Sequence, residues 1–422
     1  MIKNTSIFCF LLLLCEISFA QQGKQQMKNI PPQNQEVNRV DSSYLKKLES
    51  IVQEAKKQFA PDKRTRIVAL TASDLKSQRF EIESTEKNAS DFIQNEIKGL
   101  PIHVVIKSLP DSSVGEKQFA IVNLSVANFR TQPGNASEMA TQAMLGTQVD
   151  LLQKANGEYR ARTPEGYISW VPASAVSPMT KSELQAWNQQ KKIIYTQDFG
   201  KSFSQADPKS MRVTDLVYGN ILSLTGEDAN YFHVQYPDKR IAYIPKSEAT
   251  PFDQWLNSRV LTPENIIESA KTMMGLPYLW GGTSVKGVDC SGFTKTSYFM
   301  NGYVIPRDAS QQVLAGEKID ILGQDGHFDA EKALKNLKPA DLLFFASGKN
   351  SNPNARVTHV ALYLGNGEFI HAAGTVRINS MLKDASNYDD FQTRTVVAAR
   401  RYIGVNDKQI EKIQQSPYYT IK

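Results

Sequence analysis

Residues 287–293 read GVDCSGF, and Cys290 at their centre is the only cysteine in the second half of the chain. A thiol kept for packing prefers apolar neighbours. This one sits between Asp289 and Ser291 at the start of an expected helix, with Asp289 as N-cap and Gly302 as terminator. Backbone N–H groups and the dipole at a helix start stabilise a thiolate and can lower a cysteine pKa by about a unit or more. Asp289 opposes that with its own charge, so a nucleophile here needs an imidazole partner.

Five histidines are available. His103 falls in an expected upstream strand, His233 in a repeated β segment and His327 in the loop-like GQDGHFDAE, where core or surface roles suffice. The other two lie in HVALYLGNGEFIHAAG: His359 opens a strand, Gly365-Asn366-Gly367 turns the chain, and His371 lies on the returning strand. Whether they share a face depends on that turn. A two-residue Asn-Gly loop sets His371 opposite Leu362, on the face away from His359. A three-residue loop, with Gly367 left-handed in a bulge, sets it opposite Ala361, on the same face as His359. A relay of thiolate, imidazole and a group orienting that imidazole requires the second register. It would bring the Cys290 sulfur within hydrogen-bond reach of the His359 ring, with His371 beyond it. One Cys and two His could also ligate zinc, but no CxxC or HExxH accompanies them, and neither metal nor other cofactor is expected.

These groups need a helix and a hairpin held together. Ahead of them, TPENIIESAKTMMGLPYLWGG reads as a helix, with Thr262 as N-cap and Pro263 at its first position. Ile266, Ile267, Ala270, Met273 and Met274 form its apolar face, and Gly275 stops it. Further upstream, MLGTQVDLLQKANGEYRARTPEGYISWVP (144–172) aligns without gaps on VYGNILSLTGEDANYFHVQYPDKRIAYIP (217–245), an offset of 73. Gly146 meets Gly219, Pro164 meets Pro237 and Trp170 meets Tyr243. Short alternating strands between turn residues argue for two small β-barrels. Residues 42–117 read as a small α+β element: a helix near Tyr44–Phe59, strands in RIVALTA, RFEIES and PIHVVIKSLP, and a helix over Ala89–Lys98. No function attaches to it. Residues 21–41, rich in Gln, Asn and Pro, read as a disordered leader.

The first twenty residues have a lysine, the apolar run Ile7–Cys15 and the small-x-small site Ser18-Phe19-Ala20, as a secretory signal peptide does. No segment is apolar enough to span a bilayer, so the expected location is periplasmic or extracellular. Cleavage after Ala20 removes Cys9 and Cys15 and leaves Cys290 without a disulfide partner, which favours a reactive role. The formal charge of +6 over 422 residues suits an anionic wall polymer. With no basic stripe in an exported chain, it argues against nucleic acid.

The spacing of NFRTQP, GTQVDLL and YISWVP resembles bacterial SH3 domains, over 118–178 and, through the repeat, 190–250. In order, PYLWGG, DCSGF, PADLLFF, HVALYLG and FIHAAG resemble the NlpC/P60 cysteine peptidases, over 258–405. The fold class is therefore α+β and multidomain: two SH3-like β-barrels followed by a papain-like catalytic domain. The resemblance implies Cys290 as nucleophile, His359 as general base, His371 as orienting residue and Tyr278 as an aid to the oxyanion. IPRDASQQ (305–312) resembles a family segment at the cleft, where Arg307 and Asp308 could equally be a structural ion pair.

Paired SH3-like domains ahead of such a core resemble γ-D-glutamyl-L-diamino acid endopeptidases, which cut L-Ala-γ-D-Glu from a diamino acid. That resemblance places Asp289, Ser291, Tyr167 and Glu138 around the substrate's ammonium group. Peptidoglycan-derived peptides are the implied partners, met by a monomer. Two readings stand beside this one: a wall-lytic endopeptidase tethered to intact peptidoglycan by its barrels, and a non-catalytic wall-binding protein.

Overall fold

The computed structural model describes residues 33–348, 355–389 and 393–419, with backbone alone over 33–42. The expected signal peptide and most of the leader lie outside these residues. The first helix, Gln33–Phe59, begins inside the segment read as leader. After Pro32 no proline or glycine interrupts the run, so the helix nucleated by the packed residues near Leu48 extends backwards. Leu48, Val52 and Ala55 pack on Phe80, Ile82 and Ile93. They cover a three-stranded sheet of Val68–Asp74, Arg79–Ser84 and His103–Ser108. Its first pair is antiparallel and its second parallel, the helix Lys87–Glu96 making the crossover.

Two seven-stranded barrels follow with the same strand order. The repeat offset extends to their boundaries: Lys192–Tyr195 stands 73 residues after Phe119–Val122, and Arg212–Val217 after Met139–Met144. The barrels touch through main chain, Ile221 N–H donating to Leu145 O at 2.9 Å.

The catalytic region is a six-stranded antiparallel sheet in the order Glu317–Ile319, Arg394–Arg401, Leu342–Ser347, Val357–Gly365, Glu368–Ala373, Thr375–Ser380. The helix Cys290–Phe299 lies on one face, where Phe293 and Tyr298 join Leu342, Phe344, Val360, Leu362 and Ile370 in the core. Helix Pro263–Thr272 is capped by Thr262, whose Oγ1 accepts from Asn265 N–H at 3.2 Å. Met273 is buried, but Met274 is exposed, because the helix ends before it and the next turn swings outward. The chain's end returns to the first barrel, where the Tyr418 hydroxyl donates to Asp150 Oδ2 at 2.7 Å.

Candidate active site

Asp289 caps the helix that carries Cys290: its Oδ1 accepts from Gly292 N–H at 2.7 Å and its Oδ2 from Gly281 N–H at 2.9 Å. Only glycine fits at 292, since a Cβ there would lie 1.9 Å from the Gly282 carbonyl oxygen. The charge of Asp289 is matched by Arg307, which is 1 % exposed and donates from Nη2 to Oδ2 at 2.6 Å and from Nη1 to Oδ1 at 3.1 Å. Arg307 also reaches Ser291 Oγ at 3.0 Å and, in the first barrel, Thr141 Oγ1 at 2.8 Å. Its nearest approach to Asp308 is 3.9 Å, so the pairing of Arg307 with Asp308 considered above is secondary. A buried carboxylate at a helix start demands a cation, and that demand was the available pointer to Arg307.

The turn is the two-residue Asn366-Gly367 loop, with Gly365 paired to Glu368, and not the three-residue loop with a bulge at Gly367; the bulge lies in the strand at Leu364 and restores the shared face. Leu362 pairs with Ile370 and Tyr363 with Phe369, with a shift before Gly365, so His371 falls opposite Ala361 on the face of His359. Gly365, Asn366 and Gly367 all have positive φ. His359 Nε2 and His371 Nδ1 are 3.0 Å apart, and His371 Nε2 is 3.0 Å from Asn379 Oδ1. Asn379 was not foreseen. Its Nδ2 donates to Asn387 O at 2.9 Å and its Oδ1 accepts from Arg377 Nε at 3.1 Å, which fixes the amide's orientation.

The tautomers follow. An amide oxygen facing His371 Nε2 requires a hydrogen on that nitrogen. His371 Nδ1 is then the acceptor, His359 Nε2 the donor, and His359 Nδ1 the bare nitrogen of its ring. Arg394 Nη1, at 3.4 Å from His359 Nε2, is then a neighbouring charge and not a donor.

The backbone N–H groups of Val360, the residue after His359, and of Ser291 favour the thiolate at the sulfur. Among the described residues no hydrogen bond joins it to the His359 ring, whose polar contacts are His371 and Arg394. Burial pushes the thiol up to about 12, reinforced by Asp289, so the helix start does not lower it as expected. Desolvation of a thiolate inside the core outweighs the N–H groups. Burial, with His371 and Arg394 nearby, holds His359 well below the ordinary imidazole range, and burial with Arg394 takes His371 to about 3. The resting pair is therefore neutral thiol and neutral imidazole.

Glu138, Tyr167, Tyr278, Asp289, Cys290 and Ser291 line one cleft of about 210 Å³. Burial, and then Cys290 and Asp289, raise the Tyr278 phenol, which keeps its proton as a donor. From the first barrel, Tyr167 donates its hydroxyl to Asp308 Oδ2 at 3.2 Å, and Glu138 Oε1 accepts from Trp280 Nε1 at 2.9 Å. Trp280 is thus a cleft residue the sequence did not single out, and Asp308, considered above as a partner of Arg307, is tied to Tyr167. No cluster of three or more metal-ligating side chains occurs among the described residues.

A helix-borne cysteine facing a hairpin with two bonded imidazoles, all on an antiparallel sheet, defines a cysteine peptidase core. The sequence pattern of the NlpC/P60 family matches residues 275–398, and that of the bacterial dipeptidyl-peptidase SH3 domain matches 129–176. The gamma-D-glutamyl-L-lysine dipeptidyl-peptidase of Bacillus cereus is 30% identical over 248 residues, 56% of this chain and 68% of that protein. Its Bacillus subtilis namesake is 31% identical over 252 residues, 56% of this chain and 72% of that protein. A crystal structure of an NlpC/P60 family protein from Bacillus cereus shares the fold, with a TM-score of 0.55 and 24% identity over 67% of this chain and 99% of that one. The chain belongs to the NlpC/P60 family of cysteine peptidases and carries a bacterial SH3 domain.

Proposed function

We propose that the protein hydrolyses the γ-D-glutamyl–diamino acid bond of wall-derived peptides that begin with a free L-Ala, outside the cytoplasm. The observation that carries this reading is the position of the first barrel: Glu138 and Tyr167 close one end of the cleft that holds Cys290. Four carboxylates, Glu138, Asp289, Asp308 and Asp62, lie in or beside the cleft against three cations, Arg64, Arg307 and Arg356, so one negative charge is left over. An ammonium group suits such a place, and a bulky glycan does not suit a cleft this small. The activity for which the Bacillus relatives are named supports the same kind of bond.

The chemistry starts from the neutral pair. The peptide carbonyl settles between Cys290 and Tyr278, and the thiol proton passes to His359 Nδ1 as the S–C bond forms. His371, held by Asn379, steadies the ring and accepts from its Nε2–H. The oxyanion takes hydrogen bonds from Tyr278 and from backbone N–H groups at the helix start. Collapse breaks the C–N bond, the His359 proton leaves on the diamino acid's amine, and water then releases the thioester.

The test is hydrolysis of L-Ala-γ-D-Glu-diaminopimelate against its N-acetylated form. Acetylation removes the ammonium and leaves enclosing carboxylates unpartnered, so kcat/KM should fall about a hundredfold or more. Equal cleavage of both, or ready release of peptides from intact sacculi, would move the reading to a wall-lytic enzyme tethered by its barrels.

A further inference from the structure

Neither family pattern covers the N-terminal module, yet Arg64 from it lines the cleft beside Tyr167 and Cys290. We infer that this module completes the substrate pocket, with Arg64 as a positioning residue that holds Asp308 and, through it, Tyr167.

The joint is tied at several points. Asp62 grips the Arg64 guanidinium from both oxygens, Nε and Nη2 each donating at 2.8 Å. The free edge then points at the catalytic domain, where Nη1 donates to Asp308 Oδ2 and to Ser310 Oγ, both at 2.8 Å. Gln311 Nε2 returns the contact, donating to Asp62 Oδ2 at 2.7 Å. The main chain of Arg64 is tied as well: its carbonyl accepts from Ile168 N–H at 2.7 Å, the residue beside Tyr167. Three modules therefore meet at one guanidinium, which is half-buried.

The consequence lies in how Asp308 is shared. The same Oδ2 that takes Arg64 also accepts the Tyr167 hydroxyl, and Arg307 stands 3.9 Å from Oδ1 on the opposite side. With Arg64 present the carboxylate is drawn toward the barrel. Without it, Arg307 is the cation left within 4 Å of Asp308, and the carboxylate turns toward it and away from Tyr167. The cap then loses its anchor, while Cys290, His359 and His371 keep theirs. Loss of Arg64 should accordingly weaken substrate capture and leave the chemical step alone.

This inference rests on the reading of Tyr167 as the cap over the substrate's amino terminus. Full-length R64A, R64K, Y167F and R64A/Y167F proteins test it by steady-state kinetics on L-Ala-γ-D-Glu-diaminopimelate. R64A should raise KM about tenfold with kcat within about twofold. The double variant should be no worse than Y167F alone, because both act through one contact. R64K, whose single ammonium cannot bridge Asp62 and Asp308 together, should recover part of the loss. An unchanged KM in R64A overturns the inference, and so does a fall in kcat accompanied by a melting temperature lowered equally in R64A and R64K. Wild-type protein that does not cleave the peptide refutes the functional reading instead. Arg64 is then judged by the crystal structure of R64A, where Asp308 is expected to have left Tyr167 and an intact pair overturns the inference.

Discussion

His371 Nε2 stands 3.0 Å from Asn379 Oδ1, and this contact decides where every hydrogen of the imidazole pair sits. Asn379→Ala frees His371 to take the other tautomer, which would leave His359 without an acceptor for its Nε2–H. The loss of one net hydrogen bond corresponds to about a tenfold fall in kcat, with KM little changed. Nitrogen NMR of the two rings should show a mixture of tautomers in the variant and one in the parent. A kcat untouched by the substitution removes Asn379 from the relay.

Cys290→Ala should abolish hydrolysis and shift the melting temperature little, because alanine fills most of the small space at the helix start. Iodoacetamide should inactivate the parent, slowly for a cysteine peptidase, since a thiol held near 12 offers little thiolate at neutral pH. Chelators should leave activity unchanged. Activity lost in EDTA and restored by zinc would transfer Cys290 and the two histidines to a metal site.

Acid should destabilise the fold through the same imidazoles. An unfolded histidine gains a proton below about pH 6.5, whereas His371 stays neutral down to about 3. The unfolded chain binds more protons in that window, so the stability, complete above pH 6.5, is lost as pH falls toward 3. Between pH 6.5 and 5 each such imidazole costs about 2 kcal/mol. The melting temperature should fall across this range accordingly, and His371→Asn should flatten the dependence. A parent melting temperature constant from pH 7 to 5 contradicts the neutral pair.

Arg307→Ala should be far more damaging than its distance from the sulfur suggests. It strands the buried Asp289 carboxylate, a loss on the scale of about 3–5 kcal/mol, and unties the catalytic helix from Thr141. Calorimetry should record a large drop in melting temperature. Asp289→Asn with Arg307→Met should recover part of it by removing both charges, and failure of that pair to recover stability would show that charge compensation is not the reason for the ion pair.

Tyr167→Ala should open the cap and narrow the gap between free and acetylated peptides, chiefly by slowing the free one. Competition between the two peptides in one reaction measures the ratio directly. A preference for the free amino terminus that survives intact would show that the barrel does not read it.

The catalytic helix and hairpin were legible because they obey local rules: an N-cap before Cys290, alternation through HVALYLG, and a turn at Asn366-Gly367. The choice between two registers was not legible, because the same Asn-Gly serves both. The structure keeps the two-residue loop and shifts the register at Leu364, a bulge inside the strand that no turn residue announces. The offset of 73 residues exposed the barrels, since a repeat carries its own register. Arg64, Asn379 and the tie of Asp308 to Tyr167 were hidden for another reason. Their partners lie in separate modules or across a sheet, and no periodicity encodes a contact between residues 244 positions apart. The direction of the thiol's shift was misjudged because sequence shows a helix start and not the depth of its burial.

The two barrels are copies in strand order and spacing, yet the cleft takes wall residues from the first and none from the second. The loop holding Glu138 lines the cleft, so a change in its length would reshape the space beside Cys290. The matching loop of the second copy, between Phe199–Phe203 and Arg212–Val217, carries Met211 at 77% exposure and touches no reacting group. That second loop is the place where the protein can accept an insertion, a tag or a new binding specificity while its peptidase stays as it is.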